Sequence, residues 1–238
     1  MLITTATYTD IGGRSHNEDA VGVRTIGQEK ACLVVADGLG GHGGGDRASQ
    51  TATRIILDGW DAGSTPDSLA ALVKQAHREI VAMQTPVCRM KSTAVVLSLE
   101  DGRACWAHAG DTRLYHFLNG KLVFQTRDHS ASQIAVALGQ ITPDQIRFHE
   151  DRSRIFRALG MEGDLSVDTA QKPLEKGKHA FLLCSDGFWE YVYESEMQRT
   201  LVASATPQGW LDRMVNFLQR RIPTDNDNNT AAAAWLTV

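Results

Sequence analysis

The chain has 238 residues, of which 42% are hydrophobic and 22% are charged, a balance typical of a globular protein. This length predicts one domain, residues 1–238, with a sizeable core. The net charge of -4, from 24 basic and 28 acidic residues, excludes a general attraction to nucleic acid or to anionic lipid. Any site for an anionic substrate must therefore be local.

The cysteines and the apolar segments indicate the compartment. No two of Cys32, Cys88, Cys105 and Cys184 have CxxC spacing, and three of them lie in apolar runs, so we expect free, reduced thiols. The N-terminus lacks the layout of a signal peptide, and no apolar run reaches the ~20 residues that cross a bilayer. These features predict a cytoplasmic protein without a membrane segment.

Hydrophobic periodicity predicts strands and helices along the whole chain. The predicted strands are 1–8, 19–26, 31–36, 93–99, 103–109, 113–118, 121–126, 165–170, 179–184 and 230–238, and the predicted helices are 46–60, 67–84, 194–204 and 207–220. Hairpin spacing between neighbouring strands, rather than strict β-α-β alternation, predicts an α+β fold with mostly antiparallel sheets flanked by helices. Residues 128–160 are irregular and partly helical, and we interpret them as an insertion or flap.

Acidic residues recur beside the ends of the predicted strands. They are Glu18, Asp19, Asp37, Asp111, Asp186 and Asp227. Each aspartate alone is more often a turn or capping residue, but converging carboxylates need a compensating charge. Mg²⁺ and Mn²⁺ prefer oxygen ligands, and a glycine after Asp37 makes the Gly38 carbonyl a further candidate ligand. The set therefore favours a divalent metal site, whereas no Cys/His group has zinc spacing.

Arg14 is the basic residue closest in sequence to the first of these acids. A guanidinium beside a metal cluster suits bidentate recognition of phosphate. The alternative for Arg14 alone is a surface ion pair with Asp10 or Glu18.

The glycine run that starts at Gly38 also matches the pattern G-x-G-x-x-G, with Asp58 about 20 residues further on, which is the signature of a dinucleotide-binding enzyme. Three features oppose this alternative. The next predicted helix is followed by a second helix rather than by a parallel strand. Asp37 would place a negative charge beside a pyrophosphate. The dinucleotide hypothesis also leaves the remaining strand-end acids without a role, and we reject it.

Eight stretches, in order along nearly the whole chain, resemble the metal-dependent Ser/Thr protein phosphatases (type 2C, PPM) in their compact bacterial stand-alone form. They are DIGGRSHNEDA (10–20), VADGLGGHGGGDRAS (35–49), STA (92–94), AGDTR (109–113), TRDHS (126–130), RALG (157–160), CSDGFWE (184–190) and DNNT (227–230). Each stretch is weak alone, but the ordered set is strongly specific. One departure is GDTR in place of the family's GDSR, which keeps the hydroxyl group.

The resemblance implies a four-layer α-β-β-α sandwich with the metal site at one edge, and two to three Mn²⁺ or Mg²⁺ ions. Asp37 would bridge two metals, the Gly38 carbonyl would bind the second, and Asp186 and Asp227 would complete the first. Asp227 is preferred to Asp225 because D-N-x-T directly precedes the last strand.

The resemblance also implies roles for the residues around the metals. Glu18 and Asp19 would hold waters of the second metal, and Asp111 would bind a third. Arg14 would bind the substrate phosphate, and Asn228 would support the site. His42, five residues after Asp37, would be either a proton donor or a structural residue of the glycine loop.

The implied activity is hydrolysis of phosphoserine and phosphothreonine by a metal-activated water. The alternatives are a hydrolase of small phosphate esters and a catalytically silent phosphoprotein-binding module. The expected partners are phosphorylated proteins that are substrates of a cognate Ser/Thr kinase. A forkhead-associated-domain protein is one candidate partner. We expect a monomer that binds neither nucleic acid nor membrane.

Overall fold

The computed structural model describes residues 2–40 and 43–238. Its strands are β1 (Thr4–Asp10), β2 (Ala20–Ile26), β3 (Lys30–Ala36), β4 (Gly38–Leu39), β5 (Lys91–Ser92), β6 (Ala94–Glu100), β7 (Arg103–Ala109), β8 (Arg113–Leu118), β9 (Lys121–Gln125), β10 (Asp168–Pro173), β11 (Lys178–Cys184) and β12 (Asn229–Thr237). Its helices are α1 (Gly45–Gly59), α2 (Pro66–Met83), α3 (Ala131–Ala137), α4 (Asp186–Trp189), α5 (Glu194–Val202) and α6 (Pro207–Leu218), with a 3₁₀ helix at Pro143–Phe148.

The strands form two five-stranded antiparallel sheets. The order is β1-β12-β11-β8-β9 in the first sheet and β10-β7-β6-β3-β2 in the second, while β4 and β5 pair separately. Alternate residues of a strand point to opposite faces, so in β11 Phe181 and Leu183 pack between the sheets and Leu182 packs against the outer helices. This confirms the predicted antiparallel α+β architecture.

Helices cover the outer face of each sheet. Helices α1 and α2 pack on the second sheet, where Ile56 and Ile80 join one buried cluster with Val34 of β3. On the other side Trp210 of α6 packs on the first sheet together with Phe117 of β8. The predicted four layers, α-β-β-α, are therefore confirmed.

Local sequence explains where the long helices begin. Thr65 and Ser68 form a reciprocal capping box before α2, with Pro66 at the first helical position. The Thr206 hydroxyl accepts the Gly209 N–H at 3.1 Å and caps the start of α6.

Antiparallel pairing brings the acid-bearing strand ends to one edge of the sandwich. The start of β2 pairs with the end of β3, Ala20 opposite Ala36. The end of β11 pairs with the start of β12, Cys184 opposite Ala231, and also with the start of β8. Segments far apart in sequence thus meet in one place.

One strand is displaced from its predicted position. The sequence predicts a strand at 165–170, but β10 runs from Asp168 to Pro173, with Asp168 opposite His108 of β7. Leu165 instead packs in the cluster beneath α1 and α2. The apolar residue that suggested a strand is therefore a loop residue that fills the core.

The remaining differences are short elements. The β4–β5 ladder and the four-residue α4 are too short for periodicity to reveal. Residues 128–160, called the flap below, contain α3 and the 3₁₀ helix, and their two ends are joined by hydrogen bonds from Ala131 N–H to the Arg154 carbonyl and from Phe156 N–H to the His129 carbonyl.

All four cysteines are free, as predicted, and three of them are buried. In the part of the chain that the structure describes, no helix has both the length and the apolar character needed to cross a membrane.

Candidate active site

The predicted acidic residues converge around Asp37, which lies between β3 and β4. The pKa of the Asp37 carboxyl is raised well above its ordinary value, first by burial and then by the negative charges of Asp186, Asp19, Asp111 and Asp227. Mutual repulsion of this kind requires these carboxylates to be close neighbours. The structure therefore brings together the acids that the sequence placed at separate strand ends.

The neighbouring acids show the same effect. Burial raises the pKa of Asp19 to about 7, and the charges of Asp186 and Asp227 add to it, although a hydrogen bond from the Ser185 hydroxyl at 2.7 Å opposes the shift. Burial also raises the pKa of Asp186, and the charge of Asp227 raises it further. In the free protein the group thus binds protons more readily than isolated carboxylates do.

This donor set fits divalent cations of the Mg²⁺ and Mn²⁺ type. The converging ligands are carboxylate oxygens, which these cations prefer, and a bound cation would offset the repulsion that raises their pKa values. Asp111 and Asp19 have exposed fractions of 5% and 8%, so bulk solvent screens their charges poorly.

Arg14 forms a bidentate pair with Asp227. The Arg14 Nε lies 3.1 Å from Asp227 Oδ1, and Nη2 lies 2.8 Å from Oδ2. The two side chains are 54% and 49% exposed, so the pair lies at the mouth of the site. The partner of Arg14 is therefore neither Asp10 nor Glu18, the two acids considered for a surface pair.

Asn228 joins the first loop to the last strand. Its Nδ2 donates to the carbonyls of Ile11 at 2.8 Å and His16 at 3.0 Å. Its Oδ1 accepts the Glu18 N–H at 2.8 Å. The amide therefore fixes the loop that carries Arg14 and Glu18 against Asp227.

Glu18 lies against the glycine-rich segment, and its carbonyl accepts the Gly38 N–H at 3.1 Å. A side chain at Gly45 would come within 2.7 Å of the Glu18 carboxyl carbon, and one at Gly40 would come equally close to its Oε1. Burial raises the pKa of Glu18, while hydrogen bonds from the backbone of Gly45 and Gly40 lower it. The glycines thus permit a close backbone approach to Glu18.

The glycine-rich segment does not form a dinucleotide-binding unit. Gly38 lies in β4, where a Cβ would overlap the carbonyl oxygens of Glu18 and Gly45. Helix α1 leads to α2 and not to a parallel strand, as expected. His42 lies outside the described residues.

Thr93 holds the backbone of Asp37, and Thr112 contacts Thr93. The Thr93 hydroxyl accepts the Asp37 N–H at 3.1 Å, and the Thr93 N–H donates to the Asp37 carbonyl at 2.8 Å. Thr112, from the GDTR stretch, forms a short buried hydrogen bond with the Thr93 hydroxyl. The hydroxyl at position 112 therefore connects the Asp111 loop to Asp37.

Sequence reasoning missed the buried arginine behind Asp111. Arg113 binds both oxygens of Asp128, at 2.8 and 2.7 Å, and its guanidinium lies 3.5 Å from the ring centroid of Trp189. The Trp189 Nε1–H in turn donates to the Asp111 carbonyl at 3.0 Å. A basic residue at the start of a mostly apolar strand, RLYHFL, was the available signal.

A second group of candidate ligands lies nearby but does not form a metal site. Nitrogen and oxygen atoms of His108, His129 and Asp168 lie within 4.8 Å of one another. The two imidazole rings are stacked, with centroids 4.8 Å apart and planes inclined by 9°, so one ion could not lie in both ring planes, where the nitrogen lone pairs point. Arg157 already binds Asp168 at 2.5 Å and supplies the positive charge.

Comparison with known proteins places the chain in a family. The family model described as "Protein phosphatase 2C" matches residues 9–236. The chain belongs to the protein phosphatase 2C family. This phosphatase is 32% identical, over 203 residues, to the serine/threonine phosphatase stp of Listeria monocytogenes, and the match covers 81% of this chain and 80% of the relative.

Solved structures agree with the family assignment. The serine/threonine phosphatase PstP/Ppp of Mycobacterium tuberculosis superposes with a TM-score of 0.85 and 29% identity, covering 100% of both chains. The catalytic domain of PstP, solved with two manganese ions, gives a TM-score of 0.81 and 28% identity over 98% of this chain and 97% of the other. The protein is thus a metal-dependent serine/threonine protein phosphatase, as predicted, and its substrates are phosphoproteins.

Proposed function

We propose that Asp37, Asp186 and Asp227 bind two divalent ions, Mn²⁺ or Mg²⁺, with the Gly38 carbonyl as a further ligand. The observation that carries this proposal is the convergence of four other carboxylates on the buried Asp37, whose pKa their charges raise. Asp111 is one of those four, and we assign it to a third ion. The relative solved with two manganese ions supports the class of metal.

When bound, ions of this class would lower the pKa of a coordinated water. They would also supply positive charge that stabilises the phosphoryl oxygens. The protein's part is positioning. Asp19, held by Ser185, and Glu18, held against Gly45, would hold waters of the second metal. Asn228 would support the site through its bond to the Glu18 backbone.

Arg14 would bind the substrate phosphate. Its guanidinium already binds two carboxylate oxygens in the fork geometry that suits phosphate, and about half of its side chain is exposed. Substrate phosphate would compete with Asp227 for this group. The assignment of His42 as a proton donor stays a prediction.

The ligand assignment is tested with Asp227→Asn and its neighbour Asp225→Asn as a matched control. Both aspartates are exposed and lie in the same loop, and the charge of Asp227 is among those that raise the pKa of Asp37. Asp227→Asn should lose Mn²⁺ binding and most turnover of p-nitrophenyl phosphate and of a phosphothreonine peptide. Asp225→Asn should keep both. Equal behaviour of the two variants would refute the assignment.

Further features support the remaining predictions. Both sheets contribute to one core cluster, and the family model spans residues 9–236, which supports a single domain. Free cysteines support a reducing compartment such as the cytoplasm. The monomeric state, the cognate kinase and a forkhead-associated-domain partner stay predictions from the family resemblance.

A further inference from the structure

A buried arginine of the flap binds the segment that follows Asp186. Arg147, 7% exposed, lies in the 3₁₀ helix, and its Nη2 donates to Glu194 Oε2 at 2.6 Å. Its Nη1 donates to the Trp189 carbonyl at 2.7 Å. Nη1 also lies within 3.5 Å of two further carbonyl oxygens, those of Glu190 and Val192. One guanidinium thus serves several backbone acceptors at once.

The segment that Arg147 binds is the end of α4, a helix that needs external support. Helix α4 has four residues, and so short a helix is not stable alone because nucleation is unfavourable. Its last carbonyls have no partners within the helix, and a cation at the C-terminus both satisfies and stabilises them. Arg147 supplies that cation. The first residue of the same helix is Asp186.

Trp189 extends this support to Asp111. Its side chain is 1% exposed, and its Nε1–H donates to the Asp111 carbonyl at 3.0 Å. The Arg113 guanidinium lies over its ring, 3.5 Å from the ring centroid, while Arg147 binds the backbone carbonyl of the same residue. A shift of Trp189 would therefore move the backbone of Asp111 as well as the helix of Asp186.

We propose that Arg147 is a positioning residue of the metal centre, which holds α4 and Trp189 so that Asp186 and Asp111 keep the geometry for binding divalent ions. The inference rests on the metal-binding roles proposed above for these two acids. Outer groups that orient metal ligands typically change metal affinity 10–100-fold when removed. Arg147 does not contact the predicted phosphate-binding residue, Arg14, so its removal should leave phosphate binding intact.

The test is Arg147→Met, which keeps an apolar stem of similar length and removes the guanidinium. Calorimetric titration of the metal-free protein with Mn²⁺ should show an affinity at least ~10-fold weaker than that of the wild type. At saturating Mn²⁺ the KM for p-nitrophenyl phosphate should stay within about twofold, because phosphate binding is unaffected. Arg154→Met is the matched control, since Arg154 lies in the same flap with an exposed side chain that forms no ion pair with any described residue.

Trp189→Phe provides a second, milder test from the other end of the network. It removes the hydrogen bond to Asp111 and keeps an aromatic face for Arg113. If Arg147→Met does not fold, Trp189→Phe still tests whether this network affects Mn²⁺ affinity. We expect Trp189→Phe to bind Mn²⁺ more weakly than the wild type. In the double variant with Arg147→Met, the fold-loss of Mn²⁺ affinity should be smaller than the product of the two single fold-losses.

Two results would overturn the inference. If folded Arg147→Met and Trp189→Phe bind Mn²⁺ with wild-type affinity while Asp186→Asn does not, Arg147 has only a structural role. A lower free energy of unfolding for Arg147→Met, measured in urea, with unchanged Mn²⁺ affinity, leads to the same conclusion. If Asp186→Asn itself binds Mn²⁺ normally, the proposed ligand set is wrong instead.

Discussion

Arg14 and Asp227, 213 positions apart, form a bidentate ion pair with nitrogen–oxygen distances of 3.1 and 2.8 Å. Because both side chains are about half exposed, the pair itself stabilises the fold by at most ~1 kcal/mol. In the proposed site, the pair would hold the guanidinium that we assign to phosphate binding beside a proposed metal ligand.

Arg14→Ala should raise the KM for p-nitrophenyl phosphate about 10-fold at saturating Mn²⁺ and change kcat little, because uniform phosphate binding is lost. Mn²⁺ affinity should not fall, since Asp227 loses only a competing cation. Steady-state kinetics and calorimetry measure the two quantities. Arg89→Ala is the control, because Arg89 forms an exposed pair with Glu162 instead. A wild-type KM in Arg14→Ala would contradict the role.

Gly187→Ala should damage the site through backbone overlap. A Cβ at Gly187 would overlap the Asn228 carbonyl oxygen and lie 3.4 Å from the Asp227 Cβ. Relief of that overlap must move α4 away from the start of β12, so we expect Mn²⁺-dependent activity to fall ~10-fold or more and stability to fall by ~1–3 kcal/mol.

The matched substitution is Gly209→Ala in the first turn of α6, where a Cβ would meet only the Thr206 hydroxyl, at 3.3 Å. Its activity should be normal and its stability within ~1 kcal/mol of wild type. Urea unfolding and a phosphatase assay compare the two. Equal losses in both variants would show that the overlap at Gly187 is unimportant.

Asp128→Ala should be strongly destabilising. The side chains of Arg113 and Asp128 are each only 2% exposed. Without Asp128, Arg113 keeps a longer contact of its Nη1 with Glu194 Oε1, at 3.8 Å, so its buried charge is poorly compensated and we expect a loss of ~3–5 kcal/mol. Chemical denaturation of the metal-free protein measures this loss. The double variant Arg113→Met with Asp128→Leu removes both charges and should recover part of it. A loss below ~1 kcal/mol for Asp128→Ala would show that Glu194 alone compensates the charge of Arg113.

His116 should make the fold sensitive to acid. It lies between the sheets, 3% exposed and stacked on Phe181, and its Nε2 hydrogen-bonds to His179 Nδ1 at 2.9 Å. Burial, aided by the charges of His179 and Lys172, lowers its pKa from 6.5 to about 4. The unfolded chain therefore binds a proton more readily than the folded protein does. Stability from this group is present above pH 6.5 and is lost as the pH falls towards 4, by up to ~3 kcal/mol.

His116→Phe removes the titration and should flatten this part of the stability profile. The variant should be less stable at about pH 7.5, because the buried His179 Nδ1 loses its hydrogen-bond partner, and the difference in stability from the wild type should narrow at about pH 5. Urea unfolding at both pH values measures it, with the exposed His16→Gln as a control. A parallel decline of wild type and His116→Phe between these pH values would assign the acid sensitivity to other groups.

The sequence predicted much of the fold because it is encoded locally. The strands at 31–36, 93–99 and 103–109 are buried apolar runs bounded by turns, and the structure has them within one residue at each end. Periodicity failed where tertiary packing competed with it. Leu165 packs in the core as a loop residue. The strand is instead Asp168–Pro173, because these residues pair with β7 to form β10.

By itself the sequence determined which acids stand at strand ends and the ordered motifs of the phosphatase family, and it predicted a metal site with oxygen ligands only. Only the tertiary structure decided which groups face one another. The Arg14–Asp227 pair, the position of Glu18 against Gly45 and the binding of Arg147 to α4 join positions up to 213 residues apart in the chain. Local propensity carries no information on such contacts, because strand register and the packing of the two sheets create them.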